Sequence, residues 1–358
     1  MPMGDTLRHE AERTVAQEMA DNGSWFEPAQ LYAAAKMYYD DETTQADVAV
    51  RLGVSRATVS RMLAEARRRG IVRIDVVPPQ YPSSEDLATR LTDALGLDRV
   101  YLSARLPAVA STNLPYGKLG QVLAPAVAAA LRAARLRPGD VLLVSSGRTM
   151  YEVAQSDLPS APGVLVAPTL GGADEPEGWF QTNEIVRLVA ERIGGRANYL
   201  FAPALPGPDL YQTLQHDPAI QRVLHLWPQA RCVLAGVGSP PTLRSQTPTF
   251  LPAGSATLRQ AVGDLCSRFY NRAGEPVAFP GSERLIGLEL TDLREIPTVI
   301  GVAAGTEKAI SIAVAARAGY FNQLVTDPTT AEQVLAVAAE LEPPASPAPP
   351  GSSGPETR

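Results

Sequence analysis

TQADVAVRLGVSRATVSRMLAEARRRG, residues 44–70, is the stretch that decides the N-terminal fold. Two short amphipathic segments flank a glycine. The first opens at Thr44, where T-x-x-D approximates a capping box, runs through Ala46, Ala49, Val50 and Leu52, and stops at Gly53. The positive φ open to glycine suits the tight turn expected there. The second takes Ser55 as N-cap, spans Arg56–Arg69 and ends at Gly70. Ala49 is small, as a close helix crossing requires, and Val54, Val59 and Leu63 are placed to hold the second helix on a core. Arg56, Ala57, Ser60 and Arg61 are left on the exposed face. This is the anatomy of a helix-turn-helix, whose second helix enters the DNA major groove by its N-terminal part. Thr44 can reach a phosphate with its hydroxyl and backbone N–H.

Charge follows the same division. Seven arginines between Thr44 and Arg73 face only Asp47 and Glu65, so this segment carries +5 while the chain carries −6 and the remainder −11. Arg67, Arg68 and Arg69 alone would say little, because basic residues at a helix C-terminus favour the macrodipole of any solvated helix. The combination of caps, turn glycine and apolar spacing selects DNA binding.

Outward from this module, residues 1–27 form an extension without a clear pattern, and from Pro28 the residues Leu31, Ala34, Ala35 and Tyr38 share a helical face. A short strand at Ile71–Val77 would give the unit a wing. Pro78, Pro79 and Pro82 then break the chain. The expected organisation is a helix-turn-helix domain at 28–78, a linker at 79–83, a larger domain at 84–342 and a disordered Pro/Ser-rich tail at 343–358.

The larger region alternates apolar runs with helical patterns. Strands are expected at 99–104, 140–146, 163–168, 197–203, 232–238, 284–290, 298–305 and 322–327. Helices are expected at 84–95, 118–136, 182–193, 256–271, 307–318 and 328–341. That alternation gives a doubly wound, mostly parallel α/β sheet covered on both faces.

A hydrophobic fraction of 45% and a charged fraction of 20% fit a globular chain. Two cysteines, each in an apolar run, read as buried thiols. Three histidines without a Cys-x-x-Cys leave no metal site, and no cofactor is implied. No run approaches the ~18 apolar residues of a membrane span, and the charged N-terminus lacks a signal-peptide core, so no membrane partner is expected and the expected location is cytoplasmic.

Four strand ends carry glycine or small residues: SSGRTM (145–150), LGG (170–172), GVGS (236–239) and AAGTEKA (303–309). In an open parallel sheet ligands bind outside the carboxyl ends of strands. SSGRTM opens a helix, so its backbone N–H groups with the hydroxyls of Ser145, Ser146 and Thr149 suit an anion, and Arg148 adds a fork for phosphate. Lys308 supplies a point charge from a second loop. Asp264, expected within a helix, suits sugar hydroxyls.

Together LGVSRATVSRMLAEARRRGIVRI, GRTM, GVGS, AVGDLCSRFYNRAGE, IGLEL…LREIP, VAAGTEKA and LVTD resemble the SorC family of bacterial sugar-responsive transcriptional regulators, over about residues 28–341. The resemblance implies a helix-turn-helix before an effector domain related in fold to sugar-phosphate isomerases. It also implies a homo-oligomer, dimer or tetramer, whose hold on a double-stranded operator responds to a phosphorylated sugar. Carried over by motif, the effector site comprises Gly147, Arg148, Thr149, Gly171, Gly172, Gly236, Gly238, Asp264 and Lys308. Ser146 stands where the family often has tryptophan, and Ala304 where a second glycine is common, so the pocket wall differs. Leu170 is apolar where a basic residue would clamp a second phosphate, which favours one anionic group. The alternative is an isomerase-type enzyme with an appended DNA module; Asp174 and Glu175 sustain it, but neither His216 nor His225 lies in a strand-end loop to support the base such chemistry needs.

Overall fold

The computed structural model describes residues 26–41, 43–73, 82–106, 113, 118–174, 177–178, 181–244, 248–251 and 256–341. The N-terminal extension before Phe26, the expected linker before Pro82, the tail and Glu175 lie outside the described residues. The chain divides into two units, Met1–Pro79 and Gln80–Arg358.

In the first unit, helix Pro28–Ala35 runs on into a π-helical turn, Lys36–Asp40, and is followed by helices Gln45–Leu52 and Arg56–Arg68. Leu31, Ala34, Val48, Val59, Met62, Leu63 and Ala66 make one buried core, spaced at three and four along each helix. Thr44 caps the second helix by accepting the Asp47 N–H, and Ser55 caps the third by accepting the Thr58 N–H at 3.1 Å. Gly53 turns the chain at φ +66°. Val54 departs from expectation: its amide closes the turn on the Ala49 carbonyl at 3.0 Å, which leaves its side chain 37% exposed instead of packed. The expected wing strand at Ile71–Val77 is not seen at Ile71–Arg73, which form a bend, and the rest of it lies outside the described residues.

The second unit is built on seven parallel strands: β1 (Arg99–Leu102), β2 (Val141–Val144), β3 (Leu165–Pro168), β4 (Arg196–Ala197), β5 (Ala230–Gly236), β9 (Thr298–Val302) and β10 (Gln323–Thr326). Their spatial order is β1-β10-β9-β5-β2-β3-β4. From β2 the chain winds outward through β3 to β4, then returns to β5 on the other side of β2 and winds away through β9 and β10. The direction reverses between β2 and β5. Both faces of the sheet are covered, so the strands read as unbroken apolar runs. Val141 and Leu143 enter one core with helices Pro82–Leu95, Ala309–Arg317 and Pro328–Glu340. Leu142 and Val144 enter the other with Lys118–Ala134, Arg148–Ala154 and Thr182–Ile193.

Three expectations are corrected. Residues 256–271 do not form a helix but a 3-10 turn, Thr257–Gln260, and a hairpin of β6 (Ala261–Leu265) and β7 (Arg268–Asn271), joined on the far side by β8 (Pro276–Val277). Burial alternates along β6, and Cys266 and Ser267 take positive φ of 51° and 61°, the two-residue turn that matches strand twist. Residues 284–290 form no strand: the chain makes a 3-10 turn at Ser282–Arg284 and one bridge, Gly287 to Leu170, before helix Leu290–Leu293. The strand expected at 197–203 pairs regularly only at Arg196–Ala197.

Candidate effector site and DNA-reading face

The point between β2 and β5 where the winding reverses is where open α/β sheets take ligands. Here the loop after β2 is tied to β5, with the Gly236 N–H donating to Ser145 Oγ at 2.9 Å and the Ser145 N–H to the Leu234 carbonyl at 3.1 Å. Gly147 follows with φ +117° and open space where a Cβ would point, then helix Arg148–Ala154 begins. Thr149 is buried, while Ser146, Gly147 and Arg148 are half-buried.

The loops after β3 and β5 serve a different purpose from an open cradle. The Gly171 N–H donates to the Ile286 carbonyl at 2.9 Å and that of Gly172 to Ala202 at 2.8 Å. A Cβ on Gly171 would sit 2.7 Å from the carbonyl oxygens of Ala202 and Pro203, so glycine is required by close backbone approach. The Gly238 N–H donates to the Asp264 carbonyl at 3.0 Å. These amides hold the carboxyl edge together.

Asp264 stands on β6, at a half-buried position of the strand, and reaches the same edge through its bridge to Gly238. Its Oδ1 accepts from Arg244 Nη2 and its Oδ2 from the Ser267 N–H at 3.1 Å. Arg244 also donates through Nε to the Ser239 carbonyl at 2.9 Å and lies over the Phe269 ring at 5.4 Å. Arg244 escaped the sequence reading, although it follows a glycine-rich strand end just as Arg148 and Lys308 do.

After β9, Gly305 at φ +115° donates its N–H to Thr330 Oγ1 at 2.8 Å and opens the 3-10 turn Thr306–Lys308, which leads into helix Ala309–Arg317. Lys308 is half-buried. Burial pushes its ammonium below the usual lysine value, with Arg244 and Arg148 acting the same way and Glu307 and Asp264 opposing. Arg148, Arg244, Asp264, Glu307 and Lys308 thus share one electrostatic neighbourhood at the switch point. Burial raises the Cys232 and Cys266 thiols to about 12, which makes both inert packing groups. A cavity of about 150 Å³ reaching Leu131, Leu142, Pro159 and Ile193 opens at the amino ends of the strands, opposite these loops.

In the first unit, Arg56, Ala57, Ser60 and Arg61 are exposed along one side of helix Arg56–Arg68. The Ser55 and Thr44 hydroxyls are occupied as caps, Thr44 Oγ1 also donating to Asp47 Oδ2 at 2.7 Å. Among the described residues no cluster of three or more metal-binding side chains occurs, and no helix is long and apolar enough to cross a membrane.

Residues 80–336 match the family described as "Putative sugar-binding domain". The deoxyribonucleoside regulator of Bacillus subtilis is 33% identical over 312 residues, 84% of this chain and 96% of that protein. The sorbitol operon regulator of Klebsiella pneumoniae is 29% identical over 314 residues, 84% of this chain and 96% of its own. The crystal structure of that full-length regulator, SorC, superposes with a TM-score of 0.69 at 28% identity, covering 87% of this chain and 99% of the other. A sugar-binding domain on a transcriptional regulator is therefore the class the fold defines. The chain belongs to the SorC family of sugar-binding transcriptional regulators, whose members matched here are regulators and not enzymes.

Proposed function

We propose that the chain holds a double-stranded operator through helix Arg56–Arg68 and that a small phosphorylated sugar bound at the β2/β5 switch point sets that hold. The observation that carries the effector reading is the charge around Lys308. Three cations (Arg148, Arg244 and Lys308) gather there against Asp264 and Glu307, and Asp264 is already bonded to Arg244. A phosphate would relieve that excess of positive charge, and the open space at Gly147 would admit it. Arg148 and Lys308 act as its cations, Gly147 and Thr149 supply backbone amides, and Asp264 faces the hydroxyl end. Gly171, Gly172, Gly236 and Gly238 form the wall. The names of the matched regulators, deoxyribonucleoside and sorbitol operon, support a small sugar. The chain works as a homo-oligomer in the cytoplasm, without a cofactor.

The test is a thermal-shift screen of the full chain against sugar phosphates and their unphosphorylated counterparts, followed by calorimetry. The expected result is stabilisation by a phosphorylated sugar alone, with affinity falling about tenfold or more in Lys308→Ala, since a charge-assisted hydrogen bond contributes ~1.5–3 kcal/mol. Equal binding of the unphosphorylated sugar would rule the reading out.

A further inference from the structure

Helices Lys118–Ala134 and Thr182–Ile193 both end at the amino edge of the sheet, and the cavity of about 150 Å³ there is lined from both. Its wall is largely apolar. Leu131, Leu142 and Ile193 are buried, and Ala161, in the connection that leads to β3, is half-buried. Two cations complete the lining, Arg132 in the last turn of the first helix and Arg135 just beyond it, both exposed. The site lies at the far end of β2 from the Ser145–Gly147 loop.

Neither guanidinium has a hydrogen-bond or ion-pair partner among the described residues. A basic side chain at a helix C-terminus commonly serves the last carbonyls. Here amides already serve them: the Arg135 N–H donates to the Arg132 carbonyl at 3.2 Å, Gly195 to Ala190 at 2.8 Å, and Ala161 to Ile193 at 2.7 Å. Other charges nearby are engaged. Arg192 donates to the Gln155 carbonyl at 3.1 Å, Arg187 pairs with Glu184 and Glu191, and Asp140 accepts the Arg137 N–H at 2.7 Å. Arg135 also takes φ +49°, the left-handed position after a helix that glycine usually fills. A cation stands there instead, beside an apolar cavity.

We propose that this cavity is a second small-molecule site, which takes an aromatic monocarboxylate, its ring among Leu131, Leu142 and Ile193 and its carboxylate on Arg132 and Arg135. Size selects the body of the ligand: an apolar cavity of about 150 Å³ lined by leucine and isoleucine takes one benzene ring. Charge selects the head group, because the guanidinium fork matches a carboxylate with two parallel hydrogen bonds. Asp157, exposed in the loop that leads to Pro159 of the lining, keeps the local excess of positive charge small. That suits a single negative charge better than a phosphate. The site goes beyond the effector reading above and does not depend on it, since the two lie at opposite edges of the sheet.

Calorimetric titration of the full chain with benzoate, and with benzamide as its neutral counterpart of similar shape, tests this. Benzoate should bind saturably, one per chain, and benzamide about tenfold or more weaker, the loss expected when a charge-assisted hydrogen bond goes. Arg132→Gln and Arg135→Gln should each weaken benzoate by a similar factor. Both positions are exposed, so both variants should keep the native circular dichroism. Inorganic phosphate in excess should leave the benzoate titration unchanged, because it competes only for the cations at the switch point. No saturable binding of benzoate, equal binding of benzamide, wild-type affinity in both folded arginine variants, or displacement by phosphate overturns the proposal. None of these results bears on whether a sugar phosphate binds near Lys308, so the two readings fail separately.

Discussion

Arg244 and Asp264 close on each other at the carboxyl end of β5, the guanidinium donating to Oδ1, with the two side chains only 14% and 13% exposed. The pair joins the loop after β5 to the β6–β7 hairpin, and the guanidinium lies over the Phe269 ring. Charges taken this far from water are stable only together. Arg244→Met or Asp264→Leu alone strands the partner and costs about 3 kcal/mol, while the double replacement costs less than the sum of the two. Urea denaturation of the three variants checks this. Additive losses would mean that the two groups are not coupled.

Gly238 makes the same junction possible from the backbone. A Cβ there would lie 1.9 Å from Asp264 Oδ1 and 2.7 Å from Arg244 Nη2. Gly238→Ala must push the hairpin away or break the ion pair, at a cost of about 1–3 kcal/mol, the range for overpacking. Because the hairpin carries Asp264 to the switch point, the variant should also weaken the effector found by screening. Calorimetry and a urea melt on the same sample separate the two losses; native stability with native affinity would count against the crowding.

Much of this architecture is legible in the sequence because both faces of the sheet are buried, and buried parallel strands show as apolar runs with helical spacing between them. The caps at Thr44 and Ser55, the turn at Gly53 and the helix Thr182–Ile193 follow from local chemistry alone. The β6–β7 hairpin was hidden for a physical reason. Its two turn residues, Cys266 and Ser267, take positive φ without glycine or asparagine, held by the Asp264 carboxylate on the Ser267 N–H. Residues 284–290 misled because their apolar side chains are buried by contact with the 170–172 and 204–206 loops, with Arg268 bonding the Ser282 and Leu285 carbonyls, and not by a ladder. Arg244 was missed because a lone arginine in a proline-rich loop has no spacing to announce its partner, which lies twenty residues on.

Lys308 should give the chain a pH signature. Its ammonium is held below the usual value of 10.5 by burial, with Arg244 and Arg148 adding to the effect against Glu307 and Asp264. Between the lowered value and 10.5 the unfolded chain binds more protons than the folded one, so stability rises with pH across that window, and below it the penalty is present in full. Lys308→Met should remove this rise. A phosphate bound beside the amine favours its charged form, so binding takes up protons in the window and weakens as pH climbs through it. Calorimetry in two buffers of different ionisation enthalpy measures the uptake, and its absence in the wild type would remove Lys308 from the anion site.

The exposed face of helix Arg56–Arg68 makes the last prediction. Ser55 and Thr58 share a hydroxyl contact at 2.8 Å, and Arg61 Nη2 approaches Thr58 Oγ1 at 3.4 Å, so the helix start is ordered by its own residues before DNA arrives. Ser55→Ala should therefore cost about 1 kcal/mol of stability through the lost cap, with weaker operator binding as a consequence of fraying. Arg56→Ala and Arg61→Ala leave the cap and the core of Val59, Met62 and Leu63 intact, so their melting should match the wild type. An arginine bidentate to guanine contributes ~1–3 kcal/mol of discrimination, whereas one on a phosphate lowers binding to every sequence and flattens the salt dependence by about one counterion. Titrating operator and random duplexes at several salt concentrations therefore assigns each arginine to base or backbone. Wild-type binding by both variants at every salt concentration would mean that this helix does not read DNA.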